Sequence, residues 1–217
     1  APTGAGKTMA GFLPSLVALS DNPRRKAGEA GSGLHTLYIS PLKALAEDIA
    51  RNLDAPVAEM GLKLRIETRS GDTSTARRAR QRMKPPHILL TTPEQIALML
   101  ASPDAAYVFG DLDTVILDEL HALAPSKRGD LLSLGLARLH TLAPRHITLG
   151  LSATVARPSE LRSYLVPQAA PDTVAAMSDL VVAAGGAEPE IDILEIEEPV
   201  PWGGHSARYA MHEIYRA

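Results

Sequence analysis

Short apolar runs rich in β-branched residues alternate along the chain with longer segments of helical periodicity. The apolar runs predict strands at residues 36–40, 64–68, 87–91, 114–118, 147–151, 180–183 and 191–196. The longer segments predict helices at residues 8–19, 42–60, 74–83, 93–100, 130–142 and 158–165. This alternation of strands and helices is typical of an α/β domain.

The strand runs are apolar without interruption, as in residues 88–90 (Ile-Leu-Leu) and 115–117 (Val-Ile-Leu), rather than alternating with polar positions. A strand of this kind is covered on both faces, so we expect a mostly parallel sheet sandwiched between helices. Thr92 followed by Pro93 marks a helix start, because a hydroxyl caps the helix and proline suits its first turn.

Composition narrows the class of protein. The 217 residues suit one large α/β domain, or one domain with a short extension. Aromatic residues are only 4% of the chain, so Ala, Leu, Val and Ile must build the core. The net charge of −3 neither indicates nor excludes a nucleic-acid partner, since a local basic strip can follow a phosphate backbone. The absence of cysteine excludes disulfides and is compatible with a reducing cytosol. No apolar run approaches the ~20 residues of a membrane span, so we expect a cytoplasmic protein without a membrane partner.

Residues 1–8 read Ala-Pro-Thr-Gly-Ala-Gly-Lys-Thr. Glycines let the main chain curl so that its N–H groups surround a phosphate, and the helix that follows directs its positive end at the anion. Lys7 would reach the β- and γ-phosphates of ATP, and the Thr8 hydroxyl would bind Mg²⁺. The alternative is a glycine-rich turn before an ordinary helix. The predicted nucleotide-binding residues are Thr3, Gly4, Ala5, Gly6, Lys7 and Thr8.

The apolar run 115–117 leads into Asp118-Glu119-Leu120-His121. A buried strand that ends in an acid places a carboxylate at the sheet edge where nucleotide clefts open. Asp118 would hold Mg²⁺, and Glu119 would orient and deprotonate the attacking water. With Lys7, these are the predicted catalytic residues. An acidic surface turn is the alternative. A GTPase or P-loop kinase is disfavoured, because the Asp-x-x-Gly switch of GTPases is absent here.

Ser152 and Thr154 follow the strand at 147–151. Small hydroxyls at a strand end suit switchable hydrogen bonds with Asp118, Glu119 or His121, although turn or capping chemistry would also place them there. Taken alone, His121 is more often an ordinary hydrogen-bonded histidine than a coupling residue.

Several polar groups fall where helices begin and so suit the phosphates of a nucleic acid. They are Ser40, Thr91, Thr92 and the backbone near Gly71, and Lys43 adds positive charge. The arginine-rich run at residues 77–82 is either part of this surface or a solvated helix face. Because phosphate contacts carry little sequence information, we expect binding that is largely independent of sequence.

These motifs, in this order, resemble superfamily 2 helicases of the DExH-box type. Residues 40–45 are similar to their motif Ia, and residues 71–73 and 91–94 are similar to their further strand-binding motifs. Residues 118–130 (DELHALAPSKRGD), 149–155 (LGLSATV) and 201–209 (PWGGHSARY) resemble the Lhr (large helicase-related) branch, including its ligase-associated bacterial members. The nucleic-acid contacts that this resemblance and the helix starts indicate are Ser40, Pro41, Lys43, Gly71, Asp72, Thr91 and Thr92.

The resemblance implies a RecA-like P-loop lobe at residues 1–185, lacking its first strand, with residues 186–217 leading into a second motor lobe. It implies an ATP-driven motor that moves 3′→5′ along single-stranded DNA, RNA or DNA–RNA hybrids in DNA repair. In that motor His121 couples the nucleotide to the opposite lobe, and Ser152 and Thr154 link hydrolysis to strand movement. Two alternatives stay open: a translocase or remodeller that does not unwind, and an ATP-gated binding module without turnover. The missing first strand would lie between the strands at 147–151 and 180–183, so we expect a gap in the sheet beside Ala1.

Overall fold

The computed structural model describes residues 6–21, 33–153, 157–168, 174, 176–182 and 211–216. The strands are β1 Thr36–Ile39, β2 Ile66–Arg69, β3 Ile88–Thr91, β4 Thr114–Leu117 and β5 Ile147–Gly150. The helices are α1 Lys7–Asp21, α2 Lys43–Glu59, α3 Thr75–Met83, α4 Pro93–Leu100, α5 Ala105–Phe109, α6 Leu120–Leu123, α7 Lys127–Leu142, α8 Pro158–Tyr164 and α9 Met211–Arg216. The chain divides into two units, Ala1–Ala184 and Gly185–Ala217, and α9 is the described part of the second.

The five strands form one parallel sheet in the order β2-β3-β1-β4-β5. This confirms the parallel α/β sheet that the uninterrupted apolar runs predict. β1, β3 and β4 are buried along their whole lengths, because helices cover both faces of the sheet.

Alternate side chains of each strand enter two separate cores. On one face, Tyr38 and Ile116 pack with residues of α1 and α2. On the other face, Leu37 and Val115 pack with residues of α4, α5 and α7. Because the polar strand ends project from between these two layers, they line one edge of the sheet.

Two sequence predictions differ from the structure. The strand predicted at 180–183 is wrong as far as the structure describes it, because residues 180–182 pair with no strand in the described part of the chain. Val181 and Val182 are exposed. A short β-branched run becomes a strand only where a neighbouring strand accepts its hydrogen bonds. The composition of this run therefore overestimated its tendency to form a strand. The sequence also missed α5 and α6, which are too short to show helical periodicity. The predicted strand at 191–196 lies outside the described residues.

Candidate functional site

The predicted site residues that the structure describes follow the carboxyl ends of neighbouring strands. Backbone hydrogen bonds continue beyond the strands, from Ser40 N to Thr91 O (3.0 Å), from Asp118 N to Ile39 O (2.9 Å) and from Leu151 N to Leu117 O (2.8 Å). These bonds hold the first residue after each strand in register with its neighbour. The polar residues therefore lie along one edge of the sheet.

The start of α1 lies against the same edge. Gly6 has a φ of +69°, a conformation that glycine adopts without strain, and its carbonyl accepts the Ala10 N–H at 2.9 Å. Gly11 packs so closely that a Cβ there would lie 3.2 Å from Leu151 Cδ1. Because Leu151 follows β5, the first turns of α1, with Lys7 and Thr8, lie near the carboxyl ends of the strands. Thr3, Gly4 and Ala5 lie outside the described residues.

Asp118 is held from two directions. Its side chain is buried, Oδ1 accepts the Glu119 N–H at 2.9 Å, and Oδ2 accepts the hydroxyl of Tyr38. Tyr38 is fully buried on β1 and stacks on Phe12 of α1 with 5.3 Å between ring centroids. Burial, together with the bond to Asp118, raises the pKa of Tyr38. Tyr38 was missed in the sequence analysis. A hydroxyl in an otherwise apolar strand does indicate a polar partner near the strand, which here is Asp118.

Glu119 has an unusual backbone conformation. Its φ of 48° and ψ of 43° lie in the left-handed region, and no other non-glycine residue among those described has a positive φ. Such a conformation costs about 1–3 kcal/mol in a residue with a Cβ, and it persists only where the surroundings impose it. Here the Glu119 carbonyl accepts the Ala122 N–H at 2.8 Å as α6 begins. The turn therefore directs two consecutive carboxylates to different surroundings.

His121 lies between Glu119 and Ser152. Its Nδ1 is 3.4 Å from Glu119 Oε2 and 3.2 Å from Ser152 Oγ. The Leu120 N–H donates to the Leu151 carbonyl at 3.0 Å, which fixes α6 against the end of β5. The structure thus brings together His121, Glu119 and Ser152, as the motifs predict, while Thr154 lies outside the described residues.

Three of the predicted phosphate-binding side chains are buried. Ser40 is fully buried, and its Oγ accepts the Leu42 N–H at 3.3 Å. Thr91 is also fully buried and donates its hydroxyl to the Arg69 carbonyl at 2.8 Å, while Thr92 is only 9% exposed. As a correction, neither the Ser40 nor the Thr91 hydroxyl faces solvent: Thr91 joins the ends of β3 and β2, and Ser40 bonds within its own turn, because a buried hydroxyl needs a protein partner.

The exposed part of this edge contains Lys43, Gly71 and Asp72. Lys43 Nζ and Asp72 Oδ2 form an ion pair, which raises the pKa of Lys43 and lowers that of Asp72. A carboxylate repels phosphate, so Asp72 suits the role of Lys43's partner better than that of a direct phosphate ligand. Pro41 is half-buried at the turn before α2.

The arginine-rich run on α3 is used largely within the protein. Arg77 and Arg80 both bind the Glu67 carboxylate, and Arg78 donates to the carbonyls of Ser70 and Gly71. Arg82 Nε lies 3.7 Å from an Asp104 carboxylate oxygen. These contacts favour the structural reading of the run over a free phosphate-binding strip.

The described residues also bear on membrane and metal binding. Within them, no helix is both long and apolar enough to span a membrane. Nor do the described histidine, aspartate and glutamate side chains form any group of three that could hold a metal ion by themselves.

Comparison with known proteins gives a consistent result. The DEAD/DEAH box helicase family model matches residues 1–161. The chain is 40% identical over 177 residues to the ATP-dependent helicase Lhr-Core of Methanothermobacter thermautotrophicus, covering 76% of this chain and 20% of that protein. It is 44% identical over 185 residues to the Lhr helicase/probable uracil glycosylase of Mycolicibacterium smegmatis, covering 80% and 12% respectively.

Among solved structures, the chain is similar to Mycobacterium smegmatis helicase Lhr bound to ssDNA and AMP-PNP. The TM-score is 0.68 at 42% identity, and the match covers 76% of this chain and 22% of that one. These findings confirm the RecA-like helicase fold and the resemblance to the Lhr branch. The chain therefore spans about a fifth or less of the length of these relatives.

Proposed function

The chain belongs to the DEAD/DEAH box helicase family, and on that premise we propose that it is the ATP-binding lobe of a motor that moves on single-stranded nucleic acid. The observation that carries the proposal is the cluster at the carboxyl edge of the sheet. Asp118, Glu119, His121 and Ser152 lie together there, beside the helix that begins with Lys7 and Thr8.

The residues present fit Mg²⁺. Each oxygen of the Asp118 carboxylate accepts one hydrogen bond from the protein, which leaves lone pairs for a ligand. Thr8 would supply a hydroxyl from the first turn of α1. Mg²⁺ is commonly bound by one or two protein groups together with substrate phosphates and water, so a cluster of three protein ligands is not required. When bound, the ion would neutralise charge on the phosphates.

Other residues of the chain would bind the phosphates, activate the attacking water and couple the nucleotide to the rest of the lobe. Lys7 would bind the β- and γ-phosphates from the positive end of α1. Glu119, which is half exposed, would orient the attacking water and accept its proton. His121 contacts both Glu119 and Ser152, so a change at the γ-phosphate would reach the residues that follow β5 through His121.

The substrate and context are proposed by similarity. The Lhr structure named above contains ssDNA, and we propose single-stranded DNA, or a DNA–RNA hybrid, as the partner of this chain. We further propose that residues 1–185 form the motor lobe, that residues 186–217 lead to a second lobe of the same polypeptide, and that the protein acts in cytoplasmic DNA repair.

The test is the Glu119→Gln variant of the full-length protein. Glutamine preserves size but cannot accept the proton, so ATP turnover should fall by about 10²- to 10⁴-fold while binding of a fluorescent ATP analogue stays within a factor of about two. Steady-state ATPase assays with and without single-stranded DNA measure the first quantity. The exposed Glu59→Gln change at the end of α2 is the control and should leave both unchanged. A Glu119→Gln protein with wild-type turnover would eliminate the assigned role.

A further inference from the structure

Arg128, the second residue of α7, reaches two segments that are distant in sequence. Its Nη1 donates to the Pro41 carbonyl at 2.8 Å. Its Nε and Nη2 bind the two oxygens of the Glu94 carboxylate, the latter at 3.1 Å. A guanidinium that meets both oxygens of a carboxylate is held in one orientation, unlike a lysine in the same place. The bonds from Arg128 lower the pKa of Glu94.

Both partners of Arg128 lie in segments that resemble strand-binding motifs in the sequence. Pro41 lies in the turn between β1 and α2, two residues before Lys43. Glu94 is the second residue of α4, directly after the Thr91-Thr92-Pro93 sequence. Arg128 therefore fixes the starts of α2 and α4 relative to each other.

Arg128 itself lies at the start of α7, and this start is packed tightly on α6. A Cβ at Gly129 would lie 2.4 Å from the Leu123 carbonyl oxygen and 2.5 Å from that of Ala124, so only glycine fits there. Ser126 caps α7 through the Gly129 N–H, and the Tyr164 hydroxyl donates to the Gly129 carbonyl at 2.6 Å. Since α6 contains His121, the start of α7 is joined rigidly to the nucleotide-side cluster.

We propose that Arg128 is a positioning residue that links the nucleotide-side helices α6 and α7 to the two nucleic-acid loops, at Pro41 and at Glu94. The inference rests on the proposed function, because the link matters only if the loops bind a strand. Direct phosphate binding by Arg128 is disfavoured, since the Glu94 carboxylate occupies one side of its guanidinium and would repel an anion.

The experiment is a double-mutant cycle in the full-length protein with Arg128→Ala, Glu94→Ala and both together. Each single change should raise the DNA concentration that gives half-maximal ATPase stimulation by about fivefold to tenfold. The double variant should need no more DNA than the more strongly affected single variant, because the two residues act through one contact. The KM for ATP without DNA should change by less than about twofold, because no nucleotide-binding group is altered. Arg128→Lys should not restore the value, because an ammonium cannot make the bidentate contact.

The matched control is the Arg157–Glu160 pair at the start of α8. Its atoms lie 2.8 Å apart, but the side chains are 78% and 61% exposed and the pair joins residues of a single helix start. Arg157→Ala should leave the DNA dependence unchanged. If Arg128→Ala and Glu94→Ala instead give independent, multiplying effects, the two residues do not act as a unit and the inference is wrong. If Glu94→Ala tightens DNA binding, Arg128 contacts phosphate itself, which also contradicts the inference.

A second measurement tests the link without activity. Amide hydrogen exchange of Ala46, Gln95 and Ile96, whose N–H groups bond within the first turns of α2 and α4, should be faster in Arg128→Ala than in wild type. Unchanged exchange would overturn the inference even if the wild-type protein proves to be a DNA-stimulated ATPase. A wild-type protein that DNA does not stimulate would instead contradict the proposed function, while the exchange result would still decide on the link.

Discussion

Asp118 and Glu119 are adjacent acids with different surroundings. Asp118 is only 6% exposed and accepts hydrogen bonds on both oxygens, which fixes its carboxylate in place. Glu119 turns into the left-handed region, and its side chain is 37% exposed. A fixed acid suits a cation and its phosphates, whereas an accessible acid suits a water molecule. The carboxylates of Asp118 and Glu119 can thus have different roles because one turn of the backbone gives them different surroundings.

The bond from Tyr38 to Asp118 leads to a prediction for Tyr38→Phe. Phenylalanine keeps the stacking on Phe12 but leaves a buried carboxylate oxygen without its donor, so stability should fall by about 1.5–3 kcal/mol, as for bonds to charged groups. Tyr164→Phe is the matched control, since its hydroxyl bonds a neutral carbonyl, and should cost about 0.5–1.5 kcal/mol. Urea unfolding measures both, and equal losses would mean that the bond to Asp118 is not special. In a background with Asp118→Asn, the effect of Tyr38→Phe should shrink.

At the scale of elements, α3 is attached to the sheet by charge. Its face toward β2 has few apolar residues, and Gln81 is its one buried side chain. Glu67 on β2 accepts bonds from Gln81, Arg80 and Arg77. Burial acts to raise the pKa of Glu67, but these three bonds outweigh it and hold the pKa below its ordinary value. The position of α3, and of the turn that contains Gly71, therefore depends on an ionised carboxylate.

This attachment predicts a pH dependence. A carboxylate whose folded pKa is lowered stabilises the fold fully above its unfolded pKa, and the stabilisation is lost as pH falls through the folded pKa. The stability advantage of wild type over Glu67→Gln should therefore be constant above about pH 5 and should shrink on acidification below about pH 4. Chemical unfolding at a series of pH values gives the difference. A difference that does not vary between these values would show that charge at Glu67 does not hold α3.

At the scale of the whole domain, β5 forms one edge of the sheet among the strands that the structure describes. That strand pairs with β4 alone among the described strands, and Ile147 is 62% exposed. On α1, Met9, Leu13 and Val17 form a further exposed apolar row. An unpaired edge with exposed apolar side chains is a site at which another chain can add.

The exposed apolar side chains of β5 and α1 predict that residues 1–217, expressed alone, self-associate. Ile147→Lys should reduce this association, because a charge on an edge strand opposes pairing, and should change stability by no more than about 0.5 kcal/mol at so exposed a position. Leu134→Lys on the outer face of α7, where leucine is 73% exposed, adds the same charge away from the edge and serves as control. Sedimentation velocity at several concentrations measures association. Equal effects of the two changes would show that net charge, and not the β5 edge, controls it.

The sequence by itself determined the features that depend on local order. Uninterrupted apolar runs were enough to predict β1, β3 and β4 as buried parallel strands, because only coverage on both faces permits such a pattern. The Gly-Lys-Thr and Asp-Glu-Leu-His motifs were enough to predict a cluster of polar groups at one edge of the sheet, since each motif couples a tight turn to the start of a helix. The bounds of α4 were predicted to the residue, because Thr92 and Pro93 mark its start.

The tertiary structure alone decided which polar groups are available. Thr91 and Ser40 look like phosphate ligands in the sequence, but neighbouring strand ends bury them, and burial forces each hydroxyl onto a protein partner. Tyr38 and Arg128 were missed because their partners, Asp118 and Pro41, are 80 and 87 residues away in the chain. Local patterns record which face a residue takes and where an element starts, whereas contacts between distant segments exist only once packing brings those segments together.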